Sequence, residues 1–177
     1  MFTENLQKLK KKMSENNIDL SIITDDDSIY YFTGYHDFLH MDFYRPTLLI
    51  VSNDHQTYLI TPLLDVLLVP ENCPVDKVET WNDGIGNEWR ELLPNIINQH
   101  KNVFIEKFKI NQMVKTYLDE LFNHQPGDLT SIIDSIRMIK SDYELNIARH
   151  AGQVGMAMME AAKKTIRNNV PEYEIAL

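Results

Sequence analysis

Apolar residues recur every three or four positions at Phe2, Leu6, Leu9 and Met13, which predicts an amphipathic helix from a Thr3 N-cap to about Asn16. Ile18 to Ile23 then alternates, as a strand does, and Thr24-Asp25-Asp26-Asp27-Ser28 supplies N-cap and first-turn chemistry for a short helix through Ile29, Tyr30, Tyr31 and Phe32. Gly34 is placed to terminate that helix. The three aspartates also suggest a cation site, but adjacent side chains do not converge easily on one ion, and capping is the stronger reading. Thr47 to Val51 and Thr57 to Thr61, separated by a polar stretch, predict a hairpin, with Pro62 opening a helical turn. Lys77 to Trp81 reads as a strand. Asn82 to Gly86 reads as a loop into a helix carrying Trp89, Leu92, Leu93, Ile96 and Ile97, which Pro94 should kink or restart. A short strand, Val103 to Ile105, precedes a helix with Met113, Val114, Tyr117, Leu118, Leu121 and Phe122 on one face, stopped by Gln125-Pro126-Gly127. Strand is expected again near Leu129 to Ile133.

This order argues for a three-layer α/β domain whose sheet is mixed because of the hairpin. The boundary falls near Asp134 to Lys140, giving a first domain of residues 1–135 and a second segment of 136–177. Ser141 and Glu144 form a capping-box pattern opening a helix to about Arg167, roughly 40 Å long. Leu145, Ala148, Gly152, Gly155, Met159, Ala162 and Ile166 line one side, and Ile147, Ala151, Val154, Met158 and Ala161 a neighbouring side. That apolar surface is too wide for one modest core, so the helix expects more protein around it. Pro171, with Glu172 and Glu174, suits the first turn of another helix, in which the sequence reads as interrupted at Leu177.

Composition narrows the function. The 177 residues carry a formal charge of -9, which argues against a nucleic-acid partner, because phosphate binding needs a basic face. Lys8, Lys10, Lys11 and Lys12 are local and read as the solvated side of the first helix. A single cysteine, Cys73, excludes a disulfide within the chain and favours a reducing compartment. Its turn-like, acidic setting at Pro70 to Pro74 does not favour a thiolate nucleophile. No apolar run approaches the roughly 20 residues of a membrane span, and no leader pattern opens the chain, so a cytoplasmic location is expected.

Arg137-Met138-Ile139-Lys140-Ser141, followed by Glu144-Leu145 and Arg149, resembles the inter-domain signature of the pita-bread metallohydrolases, the creatinase, prolidase and aminopeptidase P group. Tyr30-Tyr31-Phe32-Thr33-Gly34-Tyr35 is similar to the matching segment of that family's N-terminal domain, and the element order agrees along essentially the whole chain. The resemblance implies a creatinase-type N-terminal domain with a ribonuclease H-like motif, followed by the first helix of a truncated pita-bread domain. It implies a homodimer and a non-catalytic role in oligomer contacts and in walling the active site. The parent enzyme would be a Xaa-Pro peptidase or a creatinase-like hydrolase of C–N bonds. Its two divalent metals (Mn, Co or Zn) would sit on a missing C-terminal domain, except that creatinase works without metals; no cofactor is expected in this chain.

The stretch from His36 to Pro46 resembles the corresponding loop of creatinase-like and ectoine-hydrolase-like members, with Arg-Pro just before an apolar strand. On that basis Arg45 would offer a guanidinium fork to a substrate carboxylate, Phe43 or Tyr44 an apolar wall, and His40 a further contact. The plainer reading is an ion pair from Arg45 to Asp42 or Asp37. A rival hypothesis places a metal on His36, His40 and Asp42, although the glutamate of the His-Glu-x-x-His pattern is replaced by Asp37. Gly84-Ile85-Gly86 is weak as a nucleotide-binding hint, since neither a third glycine nor a P-loop lysine follows. No serine has the glycine context of a nucleophile elbow. A stand-alone interaction module, sticky along its last long helix, is the non-enzymatic alternative.

Overall fold

Successive side chains of a strand point to opposite faces of the sheet, and here both faces are apolar, so each must be covered by helices. The computed structural model describes all residues except 37–44, 55, 83–88, 98, 99, 123 and 177. Its strands are β1 (Leu20–Ile23), β2 (Leu48–Ser52), β3 (Thr57–Pro62), β4 (Lys77–Trp81), β5 (Val103–Ile105) and β6 (Gly127–Asp128). They form one mixed sheet in the order β4-β3-β2-β1-β5-β6. The β1–β2 and β2–β3 pairs are antiparallel, whereas β3–β4, β1–β5 and β5–β6 are parallel.

On one face, Ile23, Leu49, Val51 and Leu59 pack with Leu6, Leu9 and Met13 of α1 (Phe2–Glu15), Ile29 and Phe32 of α2 (Asp26–Thr33), and Ile133 and Ile136 of α5 (Thr130–Met138). On the other, Leu20, Ile22, Leu48, Ile50, Ile60, Val103 and Ile105 pack with Trp89, Leu93 and Ile97 of α3 (Trp89–Ile97) and Val114 and Leu118 of α4 (Gln112–Leu121). The result is the expected three-layer α/β fold with a mixed sheet.

Local chemistry explains the helix ends. Asp25 is the N-cap of α2, its carboxylate accepting the Ser28 N–H at 3.0 Å, with Asp26 and Asp27 in the first turn. Gly34 ends α2 at φ 77°, and a Cβ there would meet the Phe2 ring at 2.7 Å. Asn111 caps α4 through the N–H groups of Met113 and Val114.

Pro94 neither breaks nor restarts α3, which continues from Trp89 to Ile97. The proline has no N–H for the carbonyl of Arg90, one turn earlier. That carbonyl instead accepts the Tyr117 hydroxyl of α4 at 2.9 Å. A neighbouring helix thus supplies the donor that the proline lacks.

The strand expected near Leu129 to Ile133 is corrected by the structure: the ladder covers only Gly127–Asp128, and α5 takes over at Thr130. Leu129, Ile133 and Ile136 are all buried at helical spacing. The Asp128 carboxylate turns the chain by accepting both the N–H and the hydroxyl of Thr130, at 2.9 and 2.6 Å.

The chain divides into two units, Met1–Met138 and Ile139–Leu177. The second consists of α6 (Asp142–Thr165) and the short α7 (Glu172–Ala176). The capping box read from the sequence is present, the Ser141 hydroxyl accepting the Glu144 N–H at 3.3 Å while the Glu144 carboxylate accepts the Ser141 N–H at 2.8 Å.

Gly34→Ala is expected to destabilise the chain by about 1–2 kcal/mol in urea unfolding, from left-handed strain alone, and by more if the Phe2 ring cannot move aside. Tyr117→Phe, which strands the Arg90 carbonyl, is expected to cost about 1 kcal/mol by the same assay.

Candidate functional site

The register of the hairpin, Leu48 opposite Ile60, carries the chain before β2 alongside the chain after β3. Arg45, just ahead of β2, therefore meets Asp65 in the 3₁₀ helix Leu63–Leu68 that follows β3. Arg45 Nη2 lies 3.8 Å from Asp65 Oδ2, and the two side chains are only 13% and 5% exposed. At the same end of the hairpin the buried Tyr35 and Thr61 hydroxyls are 2.7 Å apart, with the Thr47 hydroxyl 3.3 Å from Thr61. A guanidinium held this way is oriented by a fixed counter-charge.

Of the substrate-contact residues expected from the sequence, Arg45 alone falls among the described residues. Phe43, Tyr44 and His40 lie outside them, as do Asp37, Asp42, Gly84 and Gly86. His36 is described and sits edge-on to Tyr30, ring centroids 6.0 Å apart. Its proposed metal partners, His40 and Asp42, are outside the described residues. Cys73 is half-buried against the first core, and burial pushes its thiol up, away from the thiolate form.

A second constellation lies at the carboxyl ends of the parallel pair β1 and β5. The chain leaves β1 for α2 on one face and β5 for α4 on the other, so the two strands diverge around a crevice, the usual ligand position in open α/β sheets. Here side chains fill it. Ser28 Oγ lies 2.9 Å from Asp25 Oδ2 and 3.1 Å from Glu106 Oε1. Lys109 Nζ reaches Asp25 at 3.0 Å and Glu106 at 3.9 Å. Arg137 Nη1 donates to Ser28 Oγ at 3.3 Å, and its guanidinium stacks over Tyr31 at 5.5 Å. Sequence reasoning found Asp25 as a cap and Arg137 as part of a signature but missed Glu106 and Lys109. The one local sign was a carboxylate placed directly after an apolar strand; its partners are 78 residues away or more at Ser28 and Asp25.

Among the described residues no group of three His, Cys, Asp or Glu side chains converges as metal ligands would. No described helix is long and apolar enough to cross a membrane. Among the described residues of the first unit, Leu63, Leu64, Leu67 and Leu68 of the 3₁₀ helix are exposed together, Leu67 being 91% exposed. This helix adjoins the edge strand β4, on which Val78 is also exposed.

The elements form a three-layer α/β domain with a mixed sheet, followed in the chain by a second, helical unit. The Creatinase/Prolidase N-terminal domain family matches residues 5–139, and the chain belongs to it. It is 25% identical over 176 residues to the creatinase of Bacillus sp. (strain B-0618), covering 96% of this chain and 41% of that protein. It is 26% identical over 185 residues to the Xaa-Pro dipeptidase of Lactobacillus delbrueckii subsp. lactis, covering 97% of this chain and 47% of that one. The prolidase structure from Pyrococcus horikoshii OT3 superposes with a TM-score of 0.77 at 21% identity, over 98% of this chain and 46% of that one, which establishes the shared fold. The chain thus spans less than half the length of the relatives it matches.

Asp65→Ala removes the counter-charge that faces a nearly buried guanidinium. It is expected to destabilise the chain by about 3 kcal/mol in urea unfolding, whereas a surface change such as Glu15→Ala leaves the unfolding midpoint essentially unchanged.

Proposed function

We propose that this chain acts as the non-catalytic N-terminal domain of a Xaa-Pro peptidase or creatinase-like hydrolase, making homodimer contacts and helping to wall an active site built by a further domain. The observation that carries this reading is the family match over residues 5–139 in a chain that corresponds to less than half of its relatives. The second unit agrees with it: among the described residues α6 is accompanied there by the five-residue α7, and Met156, Met158 and Met159 of α6 are exposed. The described residues do not fit a two-metal centre, so in this reading the metals of a peptidase parent belong to that further domain. Residues 1–135 would then be the N-terminal domain and 136–177 the linker and the start of the next, in the cytoplasm.

Homodimerisation is supported by the exposed leucines of the 3₁₀ helix beside an open sheet edge, a pattern that soluble monomers generally blunt or cover. In the walling role, Arg45, held by Asp65, would face a substrate carboxylate, with Phe43, Tyr44 and His40 contributing to that wall.

Two measurements test this. The purified chain, with and without Mn²⁺, is expected to hydrolyse none of a Xaa-Pro dipeptide, creatine and ectoine; metal-dependent turnover would overturn the non-catalytic reading and return attention to His36, His40 and Asp42. Sedimentation equilibrium is expected to show a dimer that Leu67→Asp converts to monomer. A wild-type monomer at the same concentrations would refute the dimer contact.

A further inference from the structure

Ser28 stands between two carboxylates with one proton to give. Its hydroxyl is 2.9 Å from Asp25 and 3.1 Å from Glu106, and its oxygen already accepts from Arg137 at 3.3 Å. A hydroxyl donates to one acceptor at a time. Asp25 has other donors, the Ser28 N–H at 3.0 Å and Lys109 Nζ at 3.0 Å. Glu106 has fewer. Its side chain is fully buried, Lys109 approaches Oε1 only to 3.9 Å, and Oε2 accepts no hydrogen bond from any described residue. An ionised Glu106 would therefore be a buried charge competing with Asp25 for a single hydroxyl proton.

One added proton removes the conflict. A protonated Glu106 donates from Oε1 to Ser28 Oγ, and Ser28 donates to Asp25, which also accepts from Lys109. We propose that Glu106 is a proton-binding site of the folded domain, occupied by a proton taken from solvent during folding and released as the medium turns alkaline, so that the stability of the fold responds to pH.

The charged groups facing Glu106 come from each element packed on the crevice: Asp25 at the start of α2, Lys109 in the turn after β5, and Arg137 on α5. Burial first, and then the Asp25 charge, raise the Glu106 carboxyl to about 7, against the opposing pull of the Ser28 hydroxyl, Lys109 and Arg137. The direction of the linkage follows. Below about pH 4.3 the carboxyl is protonated in both folded and unfolded chains. As pH rises the unfolded chain loses this proton first, so folding weakens by roughly tenfold per pH unit until the folded carboxyl ionises too, and then levels off. This is opposite in sign to an exposed, salt-bridged carboxylate such as Glu15, which Lys12 holds below its ordinary value.

The test compares the chain with Glu106→Gln, whose amide reproduces the protonated shape without an ionisable group. Urea unfolding from pH 5 to 8.5 is expected to show the ratio of wild-type to variant folding constants falling roughly tenfold per pH unit between pH 5 and 7, then flattening. Carbon-13 NMR of the wild-type glutamate side chains is expected to show one carboxyl titrating near pH 7, absent from Glu106→Gln. Where the variant does not fold, the wild-type titration decides alone: a full set of glutamate carboxyls all titrating below pH 5.5 overturns the proposal. A pH-independent ratio of folding constants overturns it equally.

Discussion

The pairing of β1 with β5 is the contact on which most of this structure depends. All four residues of β1 are fully buried, and the strand joins an antiparallel hairpin on one side to a parallel ladder on the other. The alternation of Leu20 and Ile22 with Ser21 and Ile23 divides the helices between two cores. Because the connections leave β1 and β5 on opposite faces, their carboxyl ends open a crevice that side chains must fill. A fold built this way places its helix N-termini, caps and charges around one point without any of them being adjacent in sequence.

Two buried ionic groupings result, and they differ physically. Arg45 and Asp65 are oppositely charged and nearly buried beside each other, so the chief risk lies in removing one of them. At the crevice, Asp25 and Glu106 face Lys109 and Arg137, balanced in number, but the donors converge on Asp25. Geometry rather than net charge leaves Glu106 short of partners. In low-dielectric surroundings the carboxyl responds by holding its proton.

Much of the fold was legible in the chain. The α1 stripe, the Asp-rich cap of α2, the hairpin and the Ser141–Glu144 capping box rest on interactions spanning a few residues, and these appear where the pattern put them. The error at Leu129 to Ile133 came from an apolar run too short to separate a period of two from one of 3.6; whether Thr130 continued a strand or began a helix depended on Asp128 folding back onto it. Pro94 was read locally as a kink or restart, and the donor that the Arg90 carbonyl finds in its place belongs to Tyr117, 27 residues away.

The candidate site was legible only in part for the same reason. The sequence by itself determined the periodicity, the caps, the mixed three-layer class and the family to which the chain belongs, because each is written in residue types at short spacing. Only the tertiary structure decided that Arg45 pairs with Asp65 and that Glu106 shares Ser28 with Asp25, since these depend on strand register and on which face each connection takes. Strand register and connection handedness are set by packing both cores at once, and no short window of sequence carries that information.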